Sequence, residues 1–157
     1  MIWAKRTLPW VWFTLSAART VHTGRLGLVD YTHQFGADGK TPDGTSFTSP
    51  TCVVAAVSFN GKKIRTVEGH AKDGELTALQ KSFIEHFAFQ CGYCTPGFLN
   101  EGQVLLERLA KNPVARADLE KTITEALDGH LCRCTGYIKY HEAVRDVILA
   151  DPERYLI

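Results

Sequence analysis

Residues 90–98 read Gln-Cys-Gly-Tyr-Cys-Thr-Pro-Gly-Phe, and residues 129–137 read Gly-His-Leu-Cys-Arg-Cys-Thr-Gly-Tyr. The first string holds a C-x2-C pair, Cys91 and Cys94, and the second a C-x-C pair, Cys132 and Cys134, with 37 residues between the pairs. Each pair is short enough to present two thiolates from one turn. Four thiolates suit a tetrahedral zinc or an iron–sulfur cluster, and spacing leaves both open. A thioredoxin-type dithiol is a weaker reading, because no βαβ pattern surrounds Cys91 and Cys94. A disulfide framework belongs mainly to small secreted domains.

The segments flanking the pairs set the fold. From Gly74 onward the hydrophobic period is helical: Leu76, Leu79, Phe83 and Phe87 form one apolar stripe that ends just ahead of Cys91. Thr95 and Pro96 read as the cap and first residue of a second helix. Its stripe is Phe98, Leu105, Leu106 and Leu109, and it stops before Pro113. A third helix carries Leu119, Ile123, Ala126 and Leu127, with Asp118 as cap and Gly129 as stop. A fourth, around 140–150, carries Tyr140, Val144, Val147 and Ile148. Each cysteine pair therefore falls in the turn between two helices, and two such hairpins side by side bring both turns to one end of a four-helix bundle. Gly92 and Gly129 allow tight turns there, with backbone amides aimed at sulfur.

The region before the bundle has a different character. The apolar run at 7–18 follows Lys5 and Arg6 and ends in Leu-Ser-Ala-Ala, loosely a secretion signal. It is too short to span a bilayer, and Pro9 with Trp3, Trp10 and Trp12 favours a segment packed on the domain or on a partner. Residues 36–50, rich in Gly, Thr, Ser, Asp and Pro, read as a long loop. Residues 53–59 and 62–67 flank Asn60-Gly61 and read as a β-hairpin. The fold class is α+β: a β-rich region over 1–69, then a helical domain over 70–157.

At 157 residues and 45% hydrophobic composition the chain can bury one or two small cores. A formal net charge of +1 gives no basic footprint for nucleic acid or a membrane surface. Five cysteines leave Cys52 outside any four-ligand site. No Ser/His/Asp set, G-x-S-x-G or phosphate loop is present, so the chain shows no substrate site of its own. His86 falls on the polar side of its helix, His130 stands close enough to Cys132 to support it, and His22 and His33 are unassigned.

Both cysteine strings resemble the second iron–sulfur motif of the molybdenum hydroxylase family (xanthine dehydrogenase, aldehyde oxidoreductase and relatives), and the resemblance runs over about residues 52–150. It implies one 2Fe–2S cluster held by Cys91, Cys94, Cys132 and Cys134, the cluster nearest a molybdopterin cofactor in a large partner subunit. It also implies that Gln90 and Cys134 touch the pterin. Arg133 lies where a guanidinium could stabilise the cluster's charge or simply face solvent. The implied function is one-electron transfer during hydroxylation of an aldehyde or N-heterocycle, with a flavin subunit or a cytochrome as acceptor, in the cytoplasm or alternatively the periplasm. The alternative from another class is a zinc-stabilised helical adaptor without redox function.

One part departs from the family pattern. Cys52 and the string Thr-Val-Glu-Gly-His at 66–70 resemble the region of the fourth ligand of a second, ferredoxin-like cluster. No cysteine precedes residue 52, and Arg19 stands in a ligand's place in the faint echo at 17–22. One thiolate does not hold such a cluster. The departed ferredoxin-like region is expected to be cluster-free, either a diverged interaction element or the product of a shifted reading frame.

Overall fold

A computed structural model of the chain describes residues 37–49 and 55–157. The readings made on the run at 7–18, the three tryptophans, the echo at 17–22, His22, His33 and Cys52 lie outside the described residues.

Helix α1 (Ala78–Glu85) opens on a capping box. Thr77 Oγ1 accepts the Gln80 N–H at 3.2 Å, and Gln80 Oε1 accepts the Thr77 N–H at 2.9 Å. Leu79 and Phe83 form its buried face. The two ends of the expected stripe are not core: Leu76 lies ahead of the helix and Phe87 beyond it, at φ 49° and 77% exposed. At Phe87 the chain turns left-handed, and the Ala88 N–H bonds back to the Phe83 carbonyl at 2.9 Å. That is the terminating bond of a Schellman motif, made here without glycine.

Helix α2 (Thr95–Leu109) takes Cys94 as its cap, one residue ahead of the expected Thr95. It is the central helix, burying Phe98, Leu99, Val104, Leu105, Leu106 and Leu109 along with the polar Asn100 and Glu101. Gly102 permits its close approach to two neighbours, since a Cβ there would lie 3.0 Å from Leu79 Cδ2 and 3.5 Å from Val144 Cγ2. Helix α3 (Leu119–Leu127) follows a 3-10 turn at Arg116–Asp118 and buries Leu119, Ile123 and Leu127; Asp118 takes the cap position, but its side chain makes no capping bond. Helix α4 (Ile138–Ala150) buries Tyr140, Ala143, Val144, Val147 and Ile148, and a short α5 (Pro152–Tyr155) follows. Ser82 Oγ donates to the Ala143 carbonyl at 2.8 Å, and His86 Nε2 lies 2.9 Å from Asp146 Oδ2, so α1 is tied to α4. His86 is thus a half-buried tie and not a free surface group.

The β region differs from expectation. Residues 36–50 are not one long loop: they supply β1 (Ala37–Lys40) and β2 (Ser46–Ser49), joined through a turn with Gly44 at φ 83°. The strands were hard to see because each has four residues and the buried ones include Asp38 and Ser49. The hairpin expected at Asn60-Gly61 does not form. Residues Ala56–Phe59 are a 3-10 helix, Asn60 has φ −57° and ψ 130°, and Gly61 has φ 74°. Those are type II turn angles, which do not match the twist of a two-residue hairpin. The strand after it, β3 (Lys63–Arg65), pairs with β1 instead, in an antiparallel sheet of order β2-β1-β3. Gly39 makes that pairing possible, because a Cβ there would meet the Lys63 carbonyl oxygen at 2.0 Å.

A polar network pins the sheet onto α2. Arg65 donates from Nε and Nη2 to the two oxygens of fully buried Asp38, each at 2.8 Å, and from Nη2 to Glu107 Oε1 at 2.8 Å. His70 Nε2 is 3.1 Å from Asp38 Oδ2, in a direction outside hydrogen-bond geometry. Ser46 Oγ donates to Glu107 Oε2 at 2.7 Å, and Thr48 donates to buried Glu101. Removing the guanidinium leaves Asp38 buried without its bidentate partner, and a broken buried pair costs about 3 kcal/mol. Arg65→Met should therefore lower the urea midpoint of the full chain by a corresponding amount, and an unchanged midpoint would show that the network contributes no net stability.

Candidate metal centre

The two turns that carry the cysteines meet at one end of the bundle. α1 and α3 end there, and α2 and α4 begin there, so the positive ends of two helix dipoles lie beside the cysteine turns. Gly92, at φ 79°, turns the chain between Cys91 and Cys94. In the second turn the left-handed residues are Gly136 (φ 67°) and Tyr137 (φ 71°), not Gly129 as expected.

The four thiols gather as two pairs. Cys91 Sγ and Cys134 Sγ are 3.6 Å apart and exposed, while Cys94 and Cys132 are buried. All four line one cavity of about 360 Å3, together with Tyr93, Leu131 and Arg133. Phe98 and Tyr140 stack with centroids 4.0 Å apart, and His130 packs on Phe98 at 4.9 Å.

Hydrogen bonds reach both inner sulfurs. The Tyr140 hydroxyl lies 3.0 Å from Cys94 Sγ. Thr135 approaches Cys132 Sγ with its hydroxyl at 3.0 Å and its N–H at 3.3 Å. The loop is held from the other side as well: the Cys132 N–H donates to the Tyr137 hydroxyl at 3.1 Å, and the Tyr137 N–H donates to Thr135 Oγ1 at 3.3 Å.

These contacts separate the thiols electrostatically. Burial pushes the Cys94 thiol up to about 12. Burial also acts to raise Cys132, but the Thr135 hydroxyl and amide, the Cys134 amide and the Cys94 thiol outweigh it and bring it down to about 7. The Cys134 thiol is raised, chiefly by its hydrogen bond to Cys91. Burial lowers His130 to about 4, so that ring is neutral and adds no charge beside the sulfurs.

The donor set of four thiols in two pairs fits a dinuclear centre. A 2Fe–2S cluster takes four thiolates shared between two irons, and two sulfur pairs match that division. A zinc needs three or four donors about 2.0–2.3 Å from one point.

The sequence-derived candidates are placed as follows. Cys91, Cys94, Cys132 and Cys134 are brought together, Gln90 is exposed beside Cys91, and Arg133 is exposed on the cavity rim. His130 is near the site but packs on Phe98. Tyr140 and Thr135 were missed as site residues. Tyr140 reads in sequence only as one more apolar-stripe position. The usable signal was its place in the first turn of α4, from which a side chain points back past the helix N-terminus.

The family model described as "[2Fe-2S] binding domain" matches residues 66–145. Over 95 residues the chain is 47% identical to the nicotinate dehydrogenase small FeS subunit of Eubacterium barkeri, an alignment covering 60% of this chain and 57% of that one. Over 104 residues it is 45% identical to the nicotine 6-hydroxylase small subunit of Paenarthrobacter nicotinovorans, covering 66% and 58% respectively. Among solved structures, quinoline 2-oxidoreductase from Pseudomonas putida 86 superimposes with a TM-score of 0.58 at 33% identity, over 76% of this chain and 69% of that one. The chain thus spans somewhat over half the length of the two curated relatives.

The exposure pattern has a chemical consequence in the iron-free chain. Accessible thiols are modified first, and Cys91 and Cys134 are both exposed and adjacent. Mild oxidation of iron-free protein should link Cys91 to Cys134 ahead of any bond involving Cys94 or Cys132. Peptide mass spectrometry reads the order, and initial formation of a Cys94–Cys132 bond would contradict the burial described above.

Proposed function

This chain belongs to the [2Fe-2S] binding domain family, as do the iron–sulfur subunits of molybdenum hydroxylases, and from that premise we propose that it is the electron-transfer subunit of a molybdopterin-dependent oxidoreductase. The observation that carries the proposal is the gathering of four thiols as one buried and one exposed pair at the mouth of a single cavity. Cys91, Cys94, Cys132 and Cys134 hold a 2Fe–2S cluster in this reading. When bound, such a cluster supplies reversible one-electron storage.

The chain's own residues divide the remaining tasks. Phe98, Tyr140 and Phe83 close the inner side of the site and keep water from Cys94 and Cys132. Cys91 and Cys134 form the open edge, where a redox partner can approach closely. Gln90 and Cys134, both exposed, are the residues proposed to meet the pterin. The partner is a large molybdopterin-binding subunit, and a flavin subunit or cytochrome accepts the electrons. The overall reaction is hydroxylation of an aldehyde or N-heterocycle. Residues 1–69 are proposed as a divergent ferredoxin-like region without a cluster, and 70–157 as the cluster domain. No helix among the described residues is long and apolar enough to cross a membrane, and a cytoplasmic or alternatively periplasmic site of action is part of the proposal.

Metal analysis tests this directly. The full chain should contain about two irons and two acid-labile sulfides and be red-brown, as one 2Fe–2S cluster requires. Cys94→Ser or Cys132→Ser should remove or cripple the cluster, because a neutral hydroxyl is a poor ligand at soft iron–sulfur centres. Cys52→Ser should leave the iron content unchanged. A colourless protein holding zinc would establish the structural adaptor instead, and iron lost with Cys52 would show that the N-terminal region recruits ligands.

A further inference from the structure

We propose that Tyr140 sets the reduction potential of this centre by donating its hydroxyl proton to the Cys94 sulfur, with Thr135 acting in the same sense at Cys132. The inference rests on the iron–sulfur reading of the site and deepens it.

Ligation of the sulfurs leaves only one direction for each bond. A ligating thiolate carries no proton and accepts only, whereas a phenol has one proton to give. The Tyr140 hydroxyl is 3.0 Å from Cys94 Sγ. At Thr135 the hydroxyl oxygen already accepts the Tyr137 N–H at 3.3 Å, which leaves its single proton for Cys132 Sγ at 3.0 Å.

Burial makes the Tyr140 bond count. Tyr140 is 0% exposed, and its ring is fixed between Phe98 and Phe83, with centroids at 4.0 Å and 5.6 Å. Cys94 itself is 5% exposed. Water has no ready access to replace the phenol if its oxygen is removed. Adding an electron makes a cluster more negative, so a donor to sulfur stabilises the reduced form more than the oxidised one. The potential therefore rises with each such bond. The outer pair, Cys91 and Cys134, is open to solvent and to any partner, so the tuning groups sit on the side that partner exchange leaves undisturbed.

The test is a redox titration of the full chain and of Tyr140→Phe and Thr135→Ser, with iron and sulfide counted in each. Tyr140→Phe keeps the stacked ring and removes only the oxygen. It should retain its iron while the reduction equilibrium shifts about tenfold toward the oxidised form, about 59 mV lower for one electron. Thr135→Ser keeps the hydroxyl and should stay near the parent potential. Normal iron in Tyr140→Phe with an unchanged or raised potential overturns the proposal and leaves the iron–sulfur reading standing. Absence of iron and sulfide from the parent protein overturns both. If Tyr140→Phe does not hold iron, replacing Tyr140 with 3-fluorotyrosine keeps the ring and makes the hydroxyl a stronger donor. The potential should then rise, and an unchanged or lower value overturns the proposal.

Discussion

Four sulfur atoms from two short turns must meet at one place, and everything else in the described structure serves that convergence. The turns are far apart in sequence, so their meeting depends on how the helix hairpins pack. Gly102 lets α2 approach Leu79 of α1 and Val144 of α4 closely, and Ser82 bonds across to Ala143. A slip of one helical turn would move a cysteine pair by about 5.4 Å, more than the 3.6 Å that now separates Cys91 from Cys134. The same packing sets the N-termini of α2 and α4 beside the sulfurs. Helix starts favour negative charge, so the chain topology that gathers the thiols also supplies a field suited to thiolates.

The site has an inside and an outside, and the proposed role in electron transfer uses both. Inside, Cys94 and Cys132 are buried, each hydrogen-bonded to a hydroxyl, and Cys132 also accepts the Thr135 N–H. Outside, Cys91 and Cys134 reach the surface, with Tyr93 and Leu131 exposed at 44% and 43% beside them. Partly apolar exposed rims of this kind suit contact with another protein better than contact with water. Phe87 adds to this picture. An exposed aromatic in a left-handed conformation is held against its own backbone preference, and the Schellman hydrogen bonds that end α1 offset that strain.

Much of the helical half was legible in sequence, and the reasons for the failures are physical. Leu79, Phe83, Ile123 and Val144 were found because a 3.6-residue period survives wherever a helix packs on one face. Phe87 extended that period past the point where the backbone stops being helical, and periodicity alone does not detect a helix end made without glycine. Asn60-Gly61 is a strong hairpin signal, yet it serves a type II turn here because the residues before it form a 3-10 helix. β1 was hidden because its buried residues are Asp38 and Gly39, and the place of Asp38 in the core depends on Arg65, 27 residues away. The cysteines were legible from spacing, but their pairing, one inner and one outer, was not. Neither was the role of Tyr140, since nothing in the sequence reports which way a buried hydroxyl points.

The polar network under the sheet bears on how separate the two halves of the chain are. Composition changes near residue 70, but Arg65 reaches across that boundary to Glu107, and Thr48 to Glu101. Both acceptors lie on α2, the helix that begins at Cys94. From Cys94 to Glu107 is about 20 Å of continuous helix, a single stiff element with the gathered cysteines at one end and the ion network along its side. A buried carboxylate pair such as Asp38 and Glu101 tolerates few arrangements, because each must keep its donors. The sheet therefore fixes the position of α2, and through α2 the height of Cys94 relative to Tyr140 and Cys132. A sheet that holds none of the four gathered cysteines can in this way govern their geometry.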